Sequence, residues 1–136
     1  MAELILVDDT DDFRDVLAEF LRMEGHVVRV AADGNRGLQL LADGLPDAAL
    51  LDVEMPTLSG PEVAYRMFVE DCGRETVPIV FLSGVADLNR IAARVGTTYY
   101  LPKPFSLEAL REVLAKVLRE RRAPTYPERE ANERAR

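Results

Sequence analysis

Five polar residues stand at the ends of short apolar runs in this 136-residue chain, and their types define a narrow chemistry. Asp8 and Asp9 follow Leu4-Ile5-Leu6-Val7, Asp52 follows Ala48-Ala49-Leu50-Leu51, Ser83 follows Ile79-Val80-Phe81-Leu82, and Lys103 comes just after Tyr99-Tyr100-Leu101. If the first and third runs are neighbouring strands, three carboxylates meet at one edge. Held that close, they repel unless a cation neutralises them or a proton is taken up. An all-oxygen set with few protein ligands suits Mg2+ better than zinc. An ammonium (Lys103) and a hydroxyl (Ser83) beside a metal-bound carboxylate make a pocket for a phosphoryl group, with Asp52 the candidate nucleophile for an acyl phosphate.

Such a cluster needs strands that all end at the same edge. The apolar runs alternate with stretches of helical period, the pattern of a parallel sheet covered on both faces by helices. The second run, Val27-Val28-Arg29-Val30, is mixed, as suits an edge strand, and it alone ends without a candidate. Phe13, Val16, Leu17, Phe20 and Leu21 form one helical stripe that Gly25 can end, and Leu107, Leu110, Leu114 and Val117 form another. Leu38 with Leu41, Ala64 with Met67 and Phe68, and Ile91 with Val95 mark three helices between. Thr10 or Asp11 is placed to cap the first helix, Pro61 suits a first helical position, and Ser106 is placed to cap the last. The expected fold is α/β, (βα)5, with its site at the carboxyl ends of the strands.

Composition narrows the function further. Seventeen basic against 24 acidic side chains give a formal charge of −7, a poor match for phosphate backbones or anionic membranes. One cysteine (Cys72, read as a helix-end residue) and one histidine (His26, read as opening the second strand) exclude an internal disulfide and a four-ligand zinc site. An acidic start and the lack of a long apolar run leave a cytoplasmic address as the simplest expectation. Residues 122–136 carry two prolines and few apolar side chains, and are expected to be a charged, flexible tail beyond a domain of residues 1–121.

Taken together, Leu6-Val7-Asp8-Asp9, Leu51-Asp52-Val53-Glu54-Met55-Pro56 with Gly60, Leu82-Ser83-Gly84 and Tyr100-Leu101-Pro102-Lys103-Pro104-Phe105 resemble the receiver domain of two-component response regulators. Asp9, Asp52, Ser83 and Lys103 are spaced 43, 31 and 20 residues apart, and the resemblance spans about residues 3–120. It implies a flavodoxin-like three-layer sandwich with strand order 2-1-3-4-5. It further implies that Asp52 accepts a phosphoryl group from a histidine kinase or phosphotransfer protein, without turnover catalysis. Mg2+ would be held by Asp9, Asp52 and the backbone carbonyl of Glu54, with Asp8 acting through metal-bound water. Lys103 would pair with the phosphoryl oxygens. Ser83 would move toward them and Tyr100 would swing inward, reshaping the surface of the fourth helix, fifth strand and fifth helix for a protein effector or a phosphorylation-dependent homodimer. A cis peptide between Lys103 and Pro104 is implied as well.

Three features depart from the family pattern. The stretch from Ser83 to Lys103 is short, so the fourth helix is expected to be trimmed or shifted; Glu54 places a carboxylate near the incoming phosphoryl; and Tyr99 adjoins Tyr100, with strand alternation sending the two to opposite faces. Asp11 and Asp12 read as charges that favour the helix dipole and not as ligands. Met55 and Met67 read as packing, and Arg119, Arg121 and Arg122 as a solvated helix end. Two other functions remain open at this point: a docking module of the same fold that is not phosphorylated, and a small Mg2+-dependent phosphohydrolase with an Asp nucleophile. A flavodoxin-like FMN carrier is disfavoured because Asp8-Asp9-Thr10-Asp11-Asp12 would repel the FMN phosphate.

Overall fold

A computed structural model describes residues 1–70 and 73–127; Cys72 and the last nine residues of the expected tail, 128–136, lie outside the described residues. Five parallel strands, β1 (Glu3–Val7), β2 (Val27–Ala31), β3 (Ala48–Asp52), β4 (Ile79–Ser83) and β5 (Tyr99–Pro102), pair in the order β2-β1-β3-β4-β5. Helices α1 (Asp11–Met23), α2 (Gly34–Asp43), α3 (Gly60–Val69), α4 (Leu88–Val95) and α5 (Leu107–Glu120) alternate with them. This is the expected flavodoxin-like sandwich.

Alternation along the strands divides the core in two. Leu4, Leu6, Leu50 and Leu82 pack under α1 and α5, while Ile5, Val7, Leu51 and Phe81 pack under α2, α3 and α4. With both faces covered, β3 and β4 are buried at every position, which is why they read as unbroken apolar runs. No described helix is long and apolar enough to cross a membrane.

The strands run one residue further than the apolar runs. Asp52 and Ser83 are the last residues of β3 and β4, in register with Leu82 and Pro102. Two helical stripes are narrower than the periodicity suggested. Val16 is 58% exposed, because α1 meets the sheet through Leu17, Ala18 and Leu21. Leu107 is exposed in the first turn of α5, ahead of the buried Leu110, Leu114 and Val117. Within the described part of the expected tail, Pro124 is buried and Tyr126 lies in the core.

One close approach sets the height of α3 on the sheet. Ser59 and Glu62 form a reciprocal capping box at its start, with Pro61 in the first turn. Gly60 then lies against β3, where a Cβ would stand 2.5 Å from the Asp52 carbonyl oxygen and 3.2 Å from the Phe81 ring. Those neighbours are backbone and packed core, with little room to yield. Gly60→Ala is therefore expected to cost about 1–3 kcal/mol of stability in urea unfolding; an unchanged midpoint would show that α3 can lift freely.

Candidate functional site

Asp8 is fully buried at the end of β1, and each of its oxygens has a donor. The Thr10 backbone N–H donates to Oδ1 at 2.9 Å and Lys103 Nζ donates to Oδ2 at 2.8 Å. Arg14 ties the start of α1 to this corner by donating to the Asp8 carbonyl at 2.9 Å and to Asp11 at 2.8 Å. Asp9 is exposed at the rim, and Asp52, at the end of the adjacent strand, is buried. Asp8, Asp9 and Asp52 each offer a carboxylate oxygen, all within 4.8 Å of one another. Three hard oxygen donors at a half-open rim fit Mg2+ with retained waters.

At Lys103 the backbone N–H donates to the Ser83 carbonyl at 2.8 Å, and the Lys103–Pro104 peptide is cis. Its ammonium lies 3.8 Å from Asp52 Oδ1. Helical period places Phe13 in a core stripe, yet its ring centroid is 4.2 Å from Lys103 Nζ, a cation–π contact. Phe105 meets that ring edge-on at 5.7 Å. The sequence signal was faint: an aromatic one turn past the acidic pair, at a position that also suits the buried face of α1.

Ser83 is buried at the same edge, and its Oγ accepts from the Val85 N–H at 3.2 Å. The Glu54 N–H reaches Asp52 Oδ1 at 3.4 Å, and its side chain is exposed. Alternation along β5 turns Tyr99 inward, where its hydroxyl donates to Glu120 at 2.9 Å, and leaves Tyr100 38% exposed. The structure thus gathers Asp8, Asp9, Asp52 and Lys103 into one cluster with Ser83 on the same edge. Tyr100 stands apart from it on the outer strand.

Electrostatics follow from this crowding. Burial, then the negative charge of Asp8, push the Asp52 carboxyl up to about 7, against a partial offset from Lys103. Beyond Asp52, Thr57 adopts φ +71° while the Leu58 N–H bonds to the Pro56 carbonyl at 2.8 Å. That is a three-residue turn of the strained, positive-φ kind, carried by a β-branched residue next to the site.

The site can now be set against known proteins. The response regulator receiver domain model matches residues 4–115. The chain belongs to that family. It is 36% identical to the response regulator MprA of Mycolicibacterium vanbaalenii over 118 residues, 85% of this chain and 50% of that protein. MprA of Mycobacterium avium matches at 35% over 130 residues, 94% of this chain and 54% of that protein. The chain therefore spans about half the length of the curated relatives it matches. Among solved structures, the Vibrio cholerae chemotaxis protein CheY4 superposes with a TM-score of 0.79 at 30% identity, covering 87% of this chain and 99% of that one. The receiver domain of the Pseudomonas aeruginosa sensor histidine kinase PA1611, described with magnesium coordinated in its active-site cleft, gives 0.76 at 28%, covering 86% and 97%. The chain is a receiver domain of the two-component type, and the docking-module and phosphohydrolase readings are not favoured.

Below about pH 4 both folded and unfolded Asp52 are protonated; between the ordinary value of 3.8 and about 7 the folded receiver keeps a proton the unfolded chain has lost, so this group lowers stability as pH rises. Without divalent metal, Asp52→Asn is thus expected to stabilise the receiver above pH 7 by on the order of a few kcal/mol, the gain vanishing near pH 4. A pH-independent difference in melting temperature between the two proteins would contradict this. Thr57→Gly relieves strain of about 1–3 kcal/mol against a chain-entropy loss of about 0.5–1 kcal/mol, so a net gain near 1 kcal/mol is expected in denaturant unfolding.

Proposed function

We propose that Asp52 is the phosphoacceptor of this receiver. The observation that carries the reading is the pairing of a buried Asp52 with Lys103 at 3.8 Å inside a cluster of three carboxylates, in a chain of the receiver family. An Asp52 oxygen attacks the phosphorus of a phosphohistidine on a histidine kinase or phosphotransfer protein. The P–N bond breaks and the released imidazole nitrogen takes up a proton. The product is a mixed anhydride on Asp52.

Each residue has a part. Asp52 must be ionised to attack, and its raised pKa means that cationic charge has to be supplied before it is an effective nucleophile at neutral pH. Asp9, Asp52 and the Glu54 backbone carbonyl would hold Mg2+, with Asp8 contributing through bound water. When bound, the ion neutralises the carboxylates and the charge on the phosphoryl oxygens. Lys103 exchanges some of its hold on Asp8 for the arriving phosphoryl oxygens, a short move for an ammonium already between the two carboxylates. Phe13 limits where that ammonium can go. Ser83 gives up the bond from Val85 to donate its hydroxyl to the phosphoryl group, and Tyr100 turns inward from its exposed position. The altered surface of α4, β5 and α5 is read by a protein effector or by a second copy of the chain.

Incubation with acetyl phosphate and Mg2+ is expected to add one phosphoryl group by intact mass, removable with hydroxylamine. An adduct that persists in Asp52→Asn, or none in the wild type, refutes the proposal. Mg2+ is expected to raise the melting temperature of the wild type and much less that of Asp9→Ala; equal shifts would remove Asp9 from the metal site. Phe13→Leu, which keeps apolar volume but removes the ring face, is expected to slow phosphoryl uptake by about threefold to tenfold, the equivalent of a cation–π contact of about 0.5–1 kcal/mol or somewhat more, with Phe13→Tyr near the wild-type rate.

A further inference from the structure

The short fourth helix leaves part of the sheet to be covered by something else. At 1.5 Å per residue, the eight residues of α4 reach about 12 Å, and α4 ends at Gly96 in the left-handed region, φ +88°. Beyond that end lie the start of β4 and the last turn of α3, with Ile79, Met67 and the half-buried Phe68 facing the same cluster. The covering group is Tyr126.

The chain is steered there by specific contacts. Arg121, at φ +52°, ends α5 and pairs through Nη1 with Asp47 at 2.8 Å. Two backbone bonds then join the segment to the end of α4: the Thr125 N–H donates to the Gly96 carbonyl at 3.2 Å, and the Tyr126 N–H donates to the Val95 carbonyl at 2.8 Å. Tyr126 is 3% exposed and stacks on Phe68 with ring centroids 4.7 Å apart and planes at 22°. Gly96 is shaped for this neighbour, because a Cβ there would overlap Thr125 Oγ1 and stand 2.7 Å from the Thr125 nitrogen. Tyr126 itself has φ +49°, a conformation a bulky residue keeps only when its surroundings impose it.

We propose that residues 122–127 are an intramolecular strap, with Tyr126 as the anchor that closes the groove between α3 and α4 and holds the carboxyl end of α4 in its resting position. The strap takes the last carbonyls of α4, Val95 and Gly96, while the opposite end of that helix begins at Leu88, shortly after Ser83. A displacement of α4 must break the two backbone bonds or carry the strap with it. By linkage, releasing the strap and moving α4 favour each other. The docking stands apart from the phosphoryl chemistry; the coupling rests on the proposed phosphorylation of Asp52.

The anchor is apolar in effect. Tyr126 Oη is buried without a hydrogen-bond partner among the described residues, as is Glu75 Oε2, and burial with the nearby Glu75 charge raises the phenol's pKa. Removing that hydroxyl should cost nothing, whereas removing the ring should empty the groove.

Hydrogen exchange on the full chain, followed through residues 121–127 and 92–97, tests the docking. The Thr125 and Tyr126 amides are expected to exchange at least about tenfold more slowly than an unstructured segment, to keep that protection in Tyr126→Phe, and to lose it in Tyr126→Ala together with faster exchange at the end of α4. Exchange at the unstructured rate in the wild type overturns the strap. Protection accompanied by elution as a dimer that exchanges subunits overturns the intramolecular assignment and gives the groove to a second copy. At sub-saturating acetyl phosphate with Mg2+, Tyr126→Ala is expected to carry at least about twice the wild-type fraction of aspartyl phosphate, since strap release favours the moved helix. Equal fractions with both proteins phosphorylated overturn the coupling. If neither takes up phosphoryl, the phosphoacceptor reading fails and the coupling with it, while the exchange data still decide the docking.

Discussion

Two carboxylates share the buried edge of an otherwise apolar sheet, and a single ammonium stands between them. Asp8 satisfies both its oxygens with Thr10 and Lys103, while Asp52 receives only a longer contact from the same lysine and a weak backbone bond from Glu54. Burial, then the negative charge of Asp8, hold the proton of Asp52 to about pH 7, with only a partial offset from Lys103. A site in this condition is under-supplied with positive charge, and the proposed function meets that need with a divalent cation and then an anionic phosphoryl group that the cation and Lys103 would share. Much of the nearby structure serves to keep the two carboxylates from drifting apart. β1 and β3 are adjacent, Arg14 pins the start of α1 to the Asp8 carbonyl, and Gly60 lets α3 settle against the backbone of Asp52.

The polar members of the site were legible because strands of an open parallel sheet end at one edge. Finding the apolar runs locates Asp8, Asp9, Asp52, Ser83 and Lys103 without knowledge of any contact. The strand ends were off by one residue for a related reason: Asp52 and Ser83 are polar, so a hydropathy reading stops before them, although the ladder includes them. Side chains whose role depends on contacts between distant elements were not legible. Phe13 sits where a helical stripe would bury it, and only the packed fold shows that its ring faces a lysine 90 residues away in the chain. Thr57 could not be found at all, since nothing in its neighbours demands a positive φ. Val16 and Leu107 were over-read, because a helix resting on a sheet buries a narrower arc than the periodicity of its apolar residues marks out.

Tyr126 failed to show for a different reason. Composition is averaged over a window, and a segment rich in Arg, Glu and Pro reads as solvated even when it contains one aromatic. A single ring placed in a hole is enough to dock such a segment, provided that the backbone beside it finds partners. Here the partners are the carbonyls at the end of α4, which a helix leaves unsatisfied in any case. The same shortness of α4 that the Ser83-to-Lys103 spacing announced thus creates both the hole and the acceptors.

The two halves of the structure meet in that helix. β4 ends in Ser83 at the charged edge and is buried on both faces throughout, so it cannot move without opening the core. α4 is two turns long, too short to hold itself together in water, and only Leu88, Ala92 and Val95 are buried from it. With so few buried side chains and only two turns, it can be displaced at little cost in packing. On the proposed function, a change of hydrogen bonding at Ser83 would be expressed in α4 before it is expressed in the sheet, and the groups that restrain α4 would determine how large a change is needed. On the site side the restraint is the loop from Gly84 to Asp87, with its bond from Val85 to Ser83. On the far side it is the pair of backbone bonds to Thr125 and Tyr126, so the balance between charge at Asp52 and packing at Tyr126 is settled through one small helix that both ends hold.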